Sequence, residues 1–153
     1  MPDWLGTHLP DREAAFRLLV ATVVGALIGL ERELSVHSAG LRTHALVSLA
    51  AALFTVITFQ IFESVQAEGG QTADPIRVVE AVTSGVAFIA AGAIIHGGRG
   101  GVKGLTTGAG LWLAGALGVA AGLGQYGIMT TALVLALILL GIVRLLTKPE
   151  PDE

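Results

Sequence analysis

The chain has 153 residues, 53% of them hydrophobic and only 14% charged, with a formal net charge of −3 and a mean hydropathy of +0.75. Average soluble domains carry about 25% charged residues, so this chain has too little polar surface to dissolve, and its small net charge gives no sign of nucleic-acid binding. With no cysteine there is no disulfide framework, no thiolate metal site and no cysteine nucleophile.

The N-terminal stretch MPDWLGTHLPDREAAF lacks the basic start and short apolar core of a cleaved signal peptide, so the first apolar segment reads as retained. Uncharged runs then mark five candidate spans. Leu18–Leu30 falls short of the roughly 17–25 residues a spanning helix needs, and reaches that length by taking in Ala14–Arg17, with Arg17 snorkelling outward. Ala45–Phe62 is the second, and Pro75–Ile95 the third, with Arg77 and Glu80 near its start. Leu105–Leu123 and Tyr126–Val143 follow, and they meet at Gly122–Gly127, a turn short enough to require an antiparallel hairpin. The expected organisation is all-α: a polytopic membrane domain over residues 1–147, about five helices in a tight glycine-rich bundle, and a polar tail over 148–153 that leaves no room for a soluble domain. Basic residues set the orientation. With the N-terminus outside, Arg32, Arg42, Arg99, Lys103, Arg144 and Lys148 fall inside and Arg12, Arg17 and Arg77 outside, which favours a cytoplasmic C-terminus.

Between the first two spans lies GLERELSVHSAGLRTH, Gly29–His44, with Glu31, Arg32, Glu33, His37, Arg42 and His44. Glu31 and Glu33 end one helix, against the negative end of its macrodipole, and Arg42 begins the next, at a positive end; each misplacement costs roughly 0.3–1 kcal/mol. The expected outcome is a polar cluster of Glu31, Arg32, Glu33, Arg42 and Thr43 in which Arg42 pairs with Glu31 or Glu33. Two carboxylates could also attract Mg²⁺, but Arg32 and Arg42 would neutralise them, and alternate helical positions point apart. No metal site is expected there, and His37, His44 and His96 have no zinc-like spacing.

Asp74-Pro75 reads as an N-cap followed by proline in the first helical turn. Arg77, Glu80 and Ser84 continue a polar stripe with Asp74 along the third span. Glu80 lies one to two turns in, where an acid is either paired with Arg77 near the interface or part of a functional polar groove. The loop IHGGRGGVKGLTT, with Arg99, Lys103, Thr106 and Thr107, has the glycines and basic groups to cradle an anion. It lacks the P-loop spacing, and reads equally as a basic cytoplasmic turn. Twenty-one glycines are about twice the usual share. Gly25 with Gly29, Gly104 with Gly108, and Gly118 with Gly122 recur four apart, the spacing that lets membrane helices approach closely, within one chain or between two. A homo-oligomer, a dimer first, is expected. No catalytic constellation is present.

GALIGLERE (Gly25–Glu33), AGLRTHALVSLAAALF (Ala39–Phe54), DPIRV (Asp74–Val78), SGVAFIAAGAII (Ser84–Ile95) and VKGLTTGAGLWLAGALGVAAGLG (Val102–Gly124), in this order, resemble the membrane domain of the MgtC/SapB family. The resemblance implies a bacterial inner-membrane protein that takes part in adaptation to scarce magnesium and, in some members, in virulence. It implies a non-enzymatic regulator with no cofactor, whose membrane partner could be the proton-driven ATP synthase. A small carrier of Mg²⁺ or protons, with a path past Glu80 and the Glu31–Arg42 cluster, is the other reading. By the match, Glu31, Arg32, Glu33, Arg42, Thr43, Asp74, Arg77, Thr106 and Thr107 would carry the function. Virulence-type members add a soluble C-terminal domain, and Ala87 and Ala90 stand where the family usually has glycine.

Overall fold

A computed structural model describes residues 9–33, 39–67, 69, 74–95 and 104–146. All of its regular structure is helical: α1 Asp11–Glu33, α2 Leu41–Ala67, α3 Ile76–Ile95, α4 Leu105–Gly122 and α5 Tyr126–Leu146. The first four are long and apolar enough to cross a membrane; α5 has 21 residues, with an apolar stretch, Tyr126–Ile142, slightly shorter than theirs.

Local chemistry sets the helix ends. Pro10 opens α1, its carbonyl accepting from the amides of Glu13 and Ala14, and Asp11 and Glu13 in the first turn suit the positive end of the dipole. The helix thus starts a full two turns before Leu18. Its early charges are absorbed because Arg17 Nε donates to Glu13 Oε1 at 2.9 Å. Arg17 does not snorkel away. Its Nη1 donates to the Gly122 carbonyl at 2.9 Å, placing a cation on the negative end of α4. At α3 the expected cap forms: Asp74 Oδ1 accepts from the Ile76 amide at 3.0 Å. Helix α4 closes in a Schellman turn, with Gln125 N bonded to Ala120 O and Gly124 N to Ala121 O. Gly124 takes φ +73°, a conformation that favours glycine, and the chain turns directly into α5 as the hairpin reading requires.

Helices α1, α2 and α4 form a close-packed triad, and α4 touches all four of the others. Of the α4 span 56% is buried, against 17% of α3. One core joins Ala21, Val24, Ile28, Ala52, Leu117 and Ala121 with Met129 and Ala136 of α5. A second joins Val47, Leu111 and Ala114 with Val86 of α3.

The glycine pairs resolve within one chain. A methyl group on Gly25 would lie 2.6 Å from the His44 carbonyl oxygen, and one on Gly29 2.6 Å from Leu41 Cα, so this pair seats α1 on α2. Gly118 and Gly122 seat α4 on α2, against the Ser48 carbonyl and against Thr55 and Ala52. Gly104 and Gly108 seat α4 on α3, against Ala93 and Ile94. These faces are therefore filled by the chain itself and do not present a surface to a partner.

Candidate functional site

The up-and-down order brings the end of α1, the start of α2 and the start of α4 to one end of the bundle. Here the polar residues meet, but in different pairs from those the charges alone predict. Glu33 does not pair with Arg42. Its Oε2 accepts from the Leu41 amide at 2.8 Å, capping α2 from the preceding helix. The first turn of α2 has no acid of its own, so a carboxylate that its own helix dipole disfavours stabilises the next helix instead. Gly40 makes room for this reach, since a side chain there would run into the Glu33 carboxylate. Glu31 turns to its neighbour: Arg32 Nε donates to Glu31 Oε2 at 2.7 Å. Arg32 is 5% exposed, and a buried guanidinium needs such a counter-ion. Arg42 is exposed and makes no ion pair among the described residues, because Glu33 is held by a backbone amide and Glu31 by a nearer guanidinium.

Behind these charges lies a buried polar row made of His44, which has no zinc-like spacing in the sequence, and Ser48, which no site motif marks. His44 and Ser48, one turn apart on α2, are fully buried. His44 Nδ1 donates to the Gly40 carbonyl at 2.9 Å, which leaves Nε2 of the neutral ring as an acceptor. That Nε2 points at Gly110 of α4, where an added methyl would lie 3.0 Å away. Neither His44 Nε2 nor Ser48 Oγ has a hydrogen-bond partner among the described residues. Four other hydroxyls in the spans are quenched locally: Thr22, Thr55, Ser64 and Thr131 each donate to the carbonyl four residues back. The available signal was an α2 polar pair at helical spacing opposite glycines on two other helices.

The remaining candidates separate. Thr107 is buried in the α4 start, Thr106 is exposed and Thr43 is half-buried. Arg99, Lys103, His37 and His96 lie outside the described residues. Arg77, Glu80 and Ser84 are exposed on α3, and Arg77 and Glu80 form no ion pair there; each side chain extends from the helix without meeting the other. Among the described residues no group of three or more His, Asp or Glu is placed to hold a metal ion, and the carboxylates of Glu31 and Glu33 are engaged in different directions.

The opposite end carries a second network. Glu13 Oε1 accepts from Arg17 and, at 3.4 Å, from the Tyr126 hydroxyl, while Phe16 meets the Tyr126 ring edge-on at 5.9 Å. A cavity of about 330 Å³ lined in part by Arg17, Gln60, Glu63 and Gln125 adjoins it.

The sequence matches the model of the MgtC family over residues 18–148. It is 40% identical over 142 residues to the protein SrpB of Synechococcus elongatus, covering 84% of this chain and 71% of that one. It is 35% identical over 135 residues to the "Putative magnesium transporter YhiD" of Escherichia coli K12, covering 88% of this chain and 62% of YhiD. To the protein MgtC of Salmonella typhimurium it is 40% identical over 109 residues, 71% of this chain and 43% of that protein. The chain thus spans less than two thirds of YhiD and less than half of the Salmonella protein. No solved structure matches it.

Proposed function

Because the chain belongs to the MgtC family, and is a membrane protein by its helices, we propose that it is a non-enzymatic regulator acting through helix contacts with other membrane proteins. The observation that carries this reading is the closure of the triad. At Gly25, Gly29 and Gly118 the helices meet backbone on backbone, packing too close to admit a hydrated route between α1, α2 and α4. The bilayer face of α3, by contrast, offers polar groups outward. The resemblance supplies the setting: an inner membrane, adaptation to low magnesium, and the proton-driven ATP synthase as the partner to try first, while a cytoplasmic C-terminus is the orientation the charges favour. The basic residues, six against three, support that orientation. Adding the purified protein to inverted vesicles that contain the synthase is expected to lower ATP-driven proton pumping in proportion to dose. Unchanged pumping with protein shown to be inserted would overturn the synthase as its target.

One observation favours a carrier of Mg²⁺ or protons. His44 Nε2 and Ser48 Oγ are polar atoms inside a span without a hydrogen-bond partner among the described residues, His44 lying close to the buried Arg32, and such groups often mark an ion route. The route would pass them and not Glu80, which faces away from the core. Proteoliposome flux of Mg²⁺ and of protons, measured for the parent, His44→Gln and Ser48→Ala, decides the point. Saturable flux lost in both variants supports the carrier, and silence from folded protein removes it.

A further inference from the structure

Helix α3 packs one face and leaves the other bare. Val82, Val86 and Ala93 join the core with Val47, Leu111 and Ala114. At 100° of rotation per residue, Ser84 lies roughly 160° round the helix from both Val82 and Val86. Centred on it runs a line of exposed residues, Arg77, Glu80, Ser84, Ala87 and Ala91. Their spacing is three, four, three, four, the repeat of the seam between two helices that wrap left-handedly. Every member is charged, hydroxylated or small. A stripe of this composition gains nothing from lipid: its charges and hydroxyl ask for partners, and its alanines give a smooth surface for close backbone approach.

We propose that this stripe packs against the same stripe of a second copy of the chain, parallel to it, about a two-fold axis along the membrane normal. The choice of occupant follows from the charges. The stripe carries its own cation and its own anion, three residues apart, about 4.5 Å along the axis. Two parallel copies set Arg77 beside Arg77 and Glu80 beside Glu80 of the partner subunit at the same heights, and bring Arg77 of each diagonally, one layer along, to Glu80 of the partner subunit; the four charges alternate around a ring and form two ion pairs between surfaces that show none among the described residues. Ser84 then faces Ser84 of the partner subunit, and Ala87 and Ala91 carry the contact onward. The glycine pairs of the triad take no part, being filled within each copy. This interface goes beyond the regulatory reading and holds equally for a carrier.

The chain has no cysteine, so single substitutions report directly. Thr83→Cys, Ser84→Cys, Gly85→Cys, Ala87→Cys, Ile89→Cys and Ala91→Cys are made one at a time and oxidised in native membranes and in phosphatidylethanolamine–phosphatidylglycerol vesicles. Disulfide-linked dimer is expected at 84, 87 and 91, about ten-fold above the yield at 83, 85 and 89, because bridging needs Cα atoms within roughly 7 Å. Arg77→Glu and Glu80→Arg should each weaken self-association by roughly three- to fifteen-fold, the range of interhelical polar contacts in membranes, and the double swap should restore it. Equal yields at all six positions, no linked dimer, or no rescue by the swap would overturn the proposal. Adducts only with other membrane proteins would overturn it in favour of a foreign partner helix. Insertion and monodispersity of each variant, checked separately, distinguish a lost interface from a lost fold.

Discussion

Helices α3 and α4 are both rich in small residues, and the chain uses them in opposite ways. In α4 the glycines are points of contact: Gly118 and Gly122 lie on the backbone of α2, and Gly115 lies on Val86. In α3, Gly85 and Gly92 have open space where a side chain would go, and the outward line of Arg77, Glu80 and Ser84 is exposed. Glycine spacing alone marks close approach somewhere, but does not say to what. The sign that a helix still awaits a neighbour is a polar group left facing hydrocarbon, and on α3 that sign is the exposed Glu80, one turn inside the helix start, continued by the exposed Ser84 a turn further on.

The contrast is broken most severely at Gly118. Gly118→Leu drives a side chain into the Ser48 carbonyl and Ala51, and is expected to cost on the order of 3 kcal/mol or more. Loss of the monodisperse peak in detergent, or a strongly lowered melting temperature, checks it. A comparable loss is expected from Arg32→Ala, roughly 3 kcal/mol, since it removes a buried side chain together with its ion pair to the half-buried Glu31. Arg42→Ala, removing an exposed group, should change the same melting curve by less than about 0.5 kcal/mol. Next comes Glu33→Ala, which strips the cap from Leu41 and should lower stability by roughly 1 kcal/mol. Amide exchange should quicken at the start of α2 and stay unchanged in α5. The smallest effect sharpens the comparison: Gly85→Leu on α3 adds a Cβ with open space around it and should leave the melt within about 0.5 kcal/mol of the parent. A large loss there would show that α3 is packed as tightly as α4.

Much of this fold is legible in the residues. Uncharged runs locate all five helices, Asp74-Pro75 marks a cap that forms, and Gly122–Gly127 marks the hairpin. What the runs miss is the reach of the ends. Helix α1 begins at Asp11 because Glu13, Arg17 and a distant carbonyl satisfy one another, and α2 continues past Phe62 to Ala67 through Glu63. A run counted by charge stops at the first ionisable residue, whereas a helix stops where its backbone runs out of partners. The polar cluster was legible as a place but not as a set of bonds. Charge signs predict Arg42 against Glu33; the structure gives Glu33 to a backbone amide, a donor that no charge pattern displays. The burial of His44 and Ser48 escaped because it comes from Gly25, Gly110 and Gly118 on two other helices, a coincidence of three segments that no local window contains.

The bond from Arg17 to the Gly122 carbonyl spans 105 residues of chain, and that distance orders events in time. The first helix leaves the ribosome with a guanidinium whose acceptor has not yet been synthesised. Glu13, four residues away, is available to that guanidinium from the start, whereas its acceptor on α4 comes only with the later helix. That contact can therefore close only after Gly122 has been made, at the seam between α1 and α4, and a chain released before Gly122 would lack this latch.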